Sequence, residues 1–222
     1  MADWAIIFDV DGVLLELTRA EEELFFQPFA KRVDANHLSR DWNSYAIRND
    51  EDIVKEIVAR YNLPPQEVVT ITDEYLTLLE GQLHGRAIVS EVIAGAEQLL
   101  TEFAPRARLG IATANFRRAA ELRLKHAGLW QPVSGLAHGA DGGGHKADIL
   151  ARAIAASGLP RERVIFIGDN VNDVDAGLSN RVHFIGFSVS SQRRQQLHAA
   201  GAKRLAGDHA ETAQHISAIL SA

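Results

Sequence analysis

Apolar residues recur along this chain in two rhythms. Near the start, the unbroken run Ala5-Ile6-Ile7-Phe8 gives way to Asp9-Val10-Asp11-Gly12, the pattern of a buried strand running into a turn. The rhythm then becomes helical. Leu14, Leu15 and Leu17, the acidic Glu21-Glu22-Glu23, and then Leu24, Phe25, Phe26 and Phe29 mix three- and four-residue spacings and predict a first helix. Asp41 to Asp50 is polar and turn-like and ends in acids that suit a helix start, after which Ile53, Val54, Ile57 and Val58 share one face. Leu63-Pro64-Pro65 breaks that helix, and a third runs from about Gln66-Glu67 through Val68, Tyr75, Leu76, Leu79 and Leu83 to about Gly85. Residues 16–85 therefore read as an almost all-helical block with no clear strand of their own.

From Ala87 strands and helices alternate. Extended segments are predicted at 107–112, 133–137, 164–167 and 182–185, and helices at 94–103, 117–126, 147–156, after Asn172, and near 192–200 and 210–221. Short strands separated by helices of ten to fifteen residues imply βαβ units and a parallel sheet covered on both faces. The first strand belongs with these. The predicted architecture is α/β, a doubly wound parallel-sheet core made of residues 1–15 and 86–222, with a small all-helical cap domain, residues 16–85, inserted after the first strand.

Composition narrows the function. An apolar fraction of 46% over 222 residues is ample for a packed core, and a net charge of −6 without clustered Lys and Arg argues against a nucleic-acid binder. The chain has no cysteine, so disulfides and thiolate metal sites are excluded. The first residues carry acid rather than base, and no stretch approaches the length needed to span a bilayer. The expectation is a soluble, cytoplasmic protein with no membrane partner; the oligomeric state is not readable.

The candidate chemistry sits at predicted strand ends. Side chains alternate along an extended segment, so Asp9 and Asp11 project the same way from the carboxyl edge of the first strand, where α/β sheets bind ligands. Two like charges so close call for a cation or a shared proton. Thr113 follows the strand at 107–112, Lys146 opens a helix after Gly142-Gly143-Gly144, and Asp169 and Asp173 follow the strand at 164–167. Each has a plain alternative: Thr113 as a helix cap, Lys146 as a solvated lysine, Asp169 and Asp173 as cap and first-turn acids. Jointly, in this order and each at a strand end, they predict one crevice lined by a hydroxyl, an ammonium and four carboxylates.

These residues resemble the haloacid dehalogenase superfamily, whose phosphatases carry four short motifs in this order. The matches are FDVDGV at Phe8 to Val13, IATAN at Ile111 to Asn115, the lysine of GGGHKADIL at Lys146, and GDNVNDVDAG at Gly168 to Gly177. The resemblance spans the whole core, the helical insertion looks like the family's C1 cap, and the phosphoglycolate phosphatase-like branch is most similar. It implies a core strand order 5-4-1-2-3.

The resemblance makes Asp9 the nucleophile that forms an aspartyl-phosphate and Asp11 the acid that protonates the leaving oxygen and later activates water. It implies Mg²⁺ held by Asp9, the backbone carbonyl of Asp11 and Asp169, with Asp173 orienting a metal-bound water or Lys146 from behind. Thr113, backbone N–H groups near Ala114, and Lys146 would hold the phosphoryl oxygens, and Asn115 would touch the substrate. Arg48, between two cap helices, either pairs a second anionic group on a small phosphorylated metabolite or is an exposed loop arginine. Phe25, Phe26, Phe29 and Trp42 are expected in the cap core. The histidines show no metal-ligand spacing; His145, beside Lys146, is the one placed near the chemistry. Asp11 beside Asp169 favours phosphoryl transfer over carbon–halogen cleavage. A mutase of the β-phosphoglucomutase type shares all four motifs and stays open as an alternative, as does a non-catalytic metal-binding interaction module. A phosphonatase needs a cap lysine in an apolar setting, which neither Lys31 nor Lys55 has.

Overall fold

A single sheet of six parallel strands forms the centre of the computed structural model, which describes residues 3–34 and 38–221. The strands are β1 (Ala5–Phe8), β2 (Arg108–Ala112), β3 (Ala137–His138), β4 (Val164–Gly168), β5 (His183–Phe187) and β6 (Leu205–Ala206), in the spatial order β3-β2-β1-β4-β5-β6. That is the implied 5-4-1-2-3 with a sixth strand added beyond β5. β1 lies at the middle, with Phe8 opposite Ile111 on one side and Ile167 on the other.

Alternation along β1 divides the core into two layers. Ile6 and Phe8 join one apolar cluster with α4 (Ala96–Phe103), α5 (Arg117–His126) and α10 (His209–Leu220). Ala5 and Ile7 join another with α7 (Lys146–Ser157), α8 (Val171–Asn180) and α9 (Ser191–Ala199). A strand buried on both faces is the reason it reads as an unbroken apolar run.

Between β1 and α4 the chain forms α1 (Arg19–Phe26), α2 (Asp50–Arg60) and α3 (Glu67–His84), which bury a third cluster. Phe25, Phe26 and Phe29 lie in it, Trp42 packs against its edge, and Phe116, Ala119 and Leu122 of the region around α5 complete it. The first helix starts later than the leucine pattern suggests. Leu14 and Leu15 are fully buried in the sheet layer, and Thr18 caps α1 by accepting from the Glu21 N–H at 3.3 Å while Glu21 Oε2 accepts from the Thr18 N–H at 3.0 Å.

The expected strand at 133–137 is corrected. Trp130–Val133 is a helical turn, α6, followed by the 3₁₀ turn Ser134–Leu136, and only Ala137–His138 pairs with β2. The turn packs across β2 at Gly110, where a Cβ would stand 2.4 Å from the Leu136 carbonyl oxygen. Among the described residues no helix is long and apolar enough to cross a membrane.

Candidate active site

The parallel strands end at one edge, and the loops after β1, β2 and β4 together with the start of α7 meet there. The β1 ladder continues one residue further, since the Asp9 N–H donates to the Ile167 carbonyl at 2.9 Å. The chain then turns tightly, with the Val10 carbonyl accepting from the N–H groups of Leu14 at 2.9 Å and Leu15 at 3.0 Å. Gly12 (φ +72°) makes the turn possible, because a Cβ there would stand 2.4 Å from Asp169 Oδ2.

Lys146 reaches from the first residue of α7 to Asp9 Oδ2 at 2.6 Å and Asp173 Oδ1 at 2.9 Å. Asp173 is locked in turn, since its Oδ2 accepts from the N–H groups of Asp169 at 3.1 Å and Asn170 at 3.0 Å. Carboxylate oxygens of Asp9, Asp169 and Asp173 lie within 4.8 Å of one another. Burial, then the neighbouring Asp173 and Asp169, pushes the Asp9 carboxyl up to about 8 against the pull of Lys146. Asp169 is pushed up to about 7, by burial and then by Asp173. For Lys146 burial acts downward, but Asp173 and Asp9 outweigh it and hold the ammonium above its ordinary range.

Three carboxylates around one ammonium are an all-oxygen donor set that fits a hard divalent cation such as Mg²⁺. Gly12, with no side chain, leaves the approach to Asp169 clear.

Thr113, fully buried at the end of β2, accepts from the Asn115 N–H through its hydroxyl at 3.2 Å. It is not the helix cap, a position taken by Phe116. The helical block docks on this loop through α2: the Asp50 N–H donates to the Ala114 carbonyl at 2.9 Å, and Asp50 Oδ2 accepts from the Phe116 N–H at 2.8 Å. Burial pushes the Asp50 carboxyl up to about 8, partly offset by that N–H. Next to it, Asp52 Oδ2 accepts from the Gly144 N–H at 2.8 Å, and Asn49 Nδ2 donates to the Gly144 carbonyl at 2.7 Å. The helical block thus contacts both the Thr113 loop and the glycine loop that leads to Lys146.

All nine residues expected from the sequence, Asp9, Asp11, Arg48, Thr113, Ala114, Asn115, Lys146, Asp169 and Asp173, line one cavity of about 290 Å³. Arg48 is exposed on its rim, where its Nη1 lies 3.5 Å from Asn43 Oδ1. Trp42, expected in the cap core, also borders the cavity. His145 is exposed and borders a neighbouring cleft.

One residue behind this wall was not anticipated. Arg123 of α5 is 2% exposed and donates to Asp11 Oδ1 at 2.7 Å, Glu21 Oε1 at 2.7 Å and Asn115 Oδ1 at 3.0 Å. A signal for it exists: Phe116, Ala120, Arg123 and Ala127 follow helical spacing, so an arginine interrupts an apolar face.

Comparison with known proteins gives the family and the fold. Residues 5–180 match the model of the haloacid dehalogenase-like hydrolases. No curated protein matches the chain in sequence. Among solved structures, it is similar to a predicted phosphoglycolate phosphatase from Haemophilus somnus 129pt, at 15% identity and a TM-score of 0.72 over 97% of this chain and 98% of the other. A predicted phosphatase from Clostridium acetobutylicum aligns at 19% identity and a TM-score of 0.69, over 98% of this chain and all of the other. A CbbY variant from Rhodobacter sphaeroides in complex with xylulose-(1,5)bisphosphate aligns at 20% identity and a TM-score of 0.66, over 94% of this chain and 95% of the other.

Proposed function

Because the chain belongs to the haloacid dehalogenase-like hydrolase family, an enzyme family, and has a fold that phosphatases share, we propose that it hydrolyses a small phosphomonoester with Mg²⁺ through an aspartyl-phosphate on Asp9. The observation that carries this reading is the Lys146 ammonium between Asp9 and Asp173, with Asp169 beside them.

Phosphomonoesters hydrolyse extremely slowly in water, so the site has to supply a nucleophile, an acid and charge neutralisation together. Asp9 attacks phosphorus, the ester P–O bond breaks, and Asp11 gives its proton to the departing oxygen. Asp11 then takes a proton from the water that attacks the aspartyl-phosphate, which releases inorganic phosphate and restores Asp9. Lys146, the Thr113 hydroxyl and the N–H groups near Ala114 hold the phosphoryl oxygens. Asp9, the Asp11 carbonyl and Asp169 are the residues to hold Mg²⁺, and Asp173 fixes Lys146 from behind. A bound Mg²⁺ would offset the negative charge of the carboxylates and of the phosphoryl group.

Residues 16–85 act in this reading as a cap domain over the core of residues 1–15 and 86–222, closing on the substrate and excluding water. The contacts of Asp50 with the Thr113 loop and of Asp52 with the glycine loop support it. A cavity of about 290 Å³ suits a small metabolite, phosphoglycolate-like or a sugar phosphate, and Arg48 on the rim suits a second anionic group such as a carboxylate. The test is phosphate release from a panel of phosphoglycolate, sugar phosphates and nucleotides, each with Mg²⁺ and with EDTA. We expect one metal-dependent substrate standing clear of the rest. Turnover that requires a sugar bisphosphate, with slow hydrolysis of the phospho-enzyme, overturns the phosphatase reading in favour of a mutase.

A further inference from the structure

Arg123 is built into the molecule more firmly than a surface-pairing arginine needs to be. Its guanidinium makes four hydrogen bonds to three segments of chain. Nη1 donates to Asp11 Oδ1 at 2.7 Å and Asn115 Oδ1 at 3.0 Å, Nε to Glu21 Oε1 at 2.7 Å, and Nη2 to the Glu16 carbonyl at 3.1 Å. Asp11 and Glu16 belong to the loop after β1, Asn115 to the loop after β2, and Glu21 to α1 of the helical block.

Glu21 is 3% exposed and is itself anchored, since its Oε2 accepts from the Thr18 N–H at 3.0 Å and the Thr18 hydroxyl at 2.9 Å. It serves two ends. It fixes the far edge of the guanidinium plane, so that the opposite edge points at Asp11 and Asn115. It also answers the arginine's charge from within the buried layer, so Asp11 can carry or release a proton without leaving a buried cation unpaired. A lysine has a single charged point on a flexible stem and cannot reproduce this planar fork.

We propose that Arg123 is the positioning residue for the acid and base Asp11, with Glu21 as its counter-anchor from the cap side. The guanidinium holds Asp11 by Oδ1 and leaves Oδ2 to exchange the proton with the leaving oxygen and then with water. This inference rests on the phosphatase reading above. It adds that the proton-transfer geometry at Asp11 is set by two buried residues that do not line the cavity.

The experiment compares kcat/KM on two esters of similar shape, p-nitrophenyl phosphate and p-nitrobenzyl phosphate, for the wild type, Arg123→Lys and Glu21→Gln. kcat/KM reports only the steps up to departure of the leaving group, where nitrophenolate leaves unprotonated and the benzyl alkoxide needs the acid. Both variants are expected to lose about 10²-fold on the benzyl ester, the scale of general acid catalysis, and at least about tenfold less on the phenyl ester. Near-UV circular dichroism confirms the native fold, and if Arg123→Lys does not fold, the milder Glu21→Gln decides the question. Equal losses on the two esters, or no loss on either, overturn this inference alone. A wild type that releases phosphate from neither ester and from no member of the metabolite panel overturns the phosphatase reading and this inference with it.

Discussion

Two buried cations stand at the same site in opposite circumstances, Lys146 lining the cavity and Arg123 behind its wall. Lys146 stands among three carboxylates, Asp9, Asp169 and Asp173, and contacts two of them. Arg123 stands between two, Asp11 and Glu21, and spends its remaining donors on Asn115 and a backbone carbonyl. The first group holds more negative charge than its ammonium can offset, and burial pushes the carboxyls of Asp9 and Asp169 upward. The second has one carboxylate in excess, not two, so it is the more nearly balanced, and it is hydrogen-bonded on nearly every side. An unbalanced cluster is where further positive charge and a reacting group fit; a balanced one behaves as a frame. On the proposed function, chemistry and frame thus divide between a group that lines the cavity and one behind its wall.

The largest expected effect breaks the unbalanced side. In the proposed reaction Asp9→Asn removes the attacking oxygen anion, and loss of a nucleophile of this kind lowers kcat by about 10⁴- to 10⁶-fold. It also removes one of three carboxylates competing for one ammonium, so thermal melting should show no loss of stability. Retained turnover in a folded Asp9→Asn protein would place the nucleophile elsewhere. On the balanced side the ranking reverses, with stability carrying the cost. Arg123→Met leaves Glu21, 3% exposed, as an unpaired buried charge, a change that costs about 3–5 kcal/mol. Urea unfolding should show that loss, and Arg123→Met combined with Glu21→Leu should recover much of it. If the double variant instead loses the sum of the two single losses, Arg123 and Glu21 are not a pair.

The sequence carried the unbalanced side almost completely. Asp9, Thr113 and Asp169 stand just past strand ends and Lys146 opens the helix after the glycine loop, and parallel strands deliver such positions to one edge whatever the details of packing. The balanced side was harder to read because its members look like surface residues. Glu21 lies in the acidic run Glu21-Glu22-Glu23 of the first predicted helix, where nothing sets it apart from its neighbours, yet tertiary packing buries it. Arg123 sits in a helix with Arg117, Arg118 and Lys125, and only its position on the apolar face separates it from them. β3 and β6, two residues each, are too short for a period to register. For β3 a 3₁₀ turn over Gly110 replaced the extended segment that Val133 suggested.

The smallest expected effect sharpens the comparison through pH. In the unfolded chain Asp9 and Asp169 ionise near the ordinary carboxyl value of 3.8, whereas in the folded protein they are raised to about 8 and about 7. Between those limits the folded state binds more protons than the unfolded one, so stability falls as pH rises from about 4 to about 8. Mg²⁺ binds the ionised carboxylates and has to displace protons to do so at lower pH. The cation should therefore raise the melting temperature more at pH 8 than at pH 5, by several degrees at a hundredfold excess over its dissociation constant, which corresponds to about 2.7 kcal/mol. Asp169→Asn should abolish most of that shift, whereas Glu21→Gln, on the balanced side, should leave it in place. A Mg²⁺ shift lost equally in both variants would mean that the two clusters form one electrostatic unit, and the division between chemistry and frame would fail.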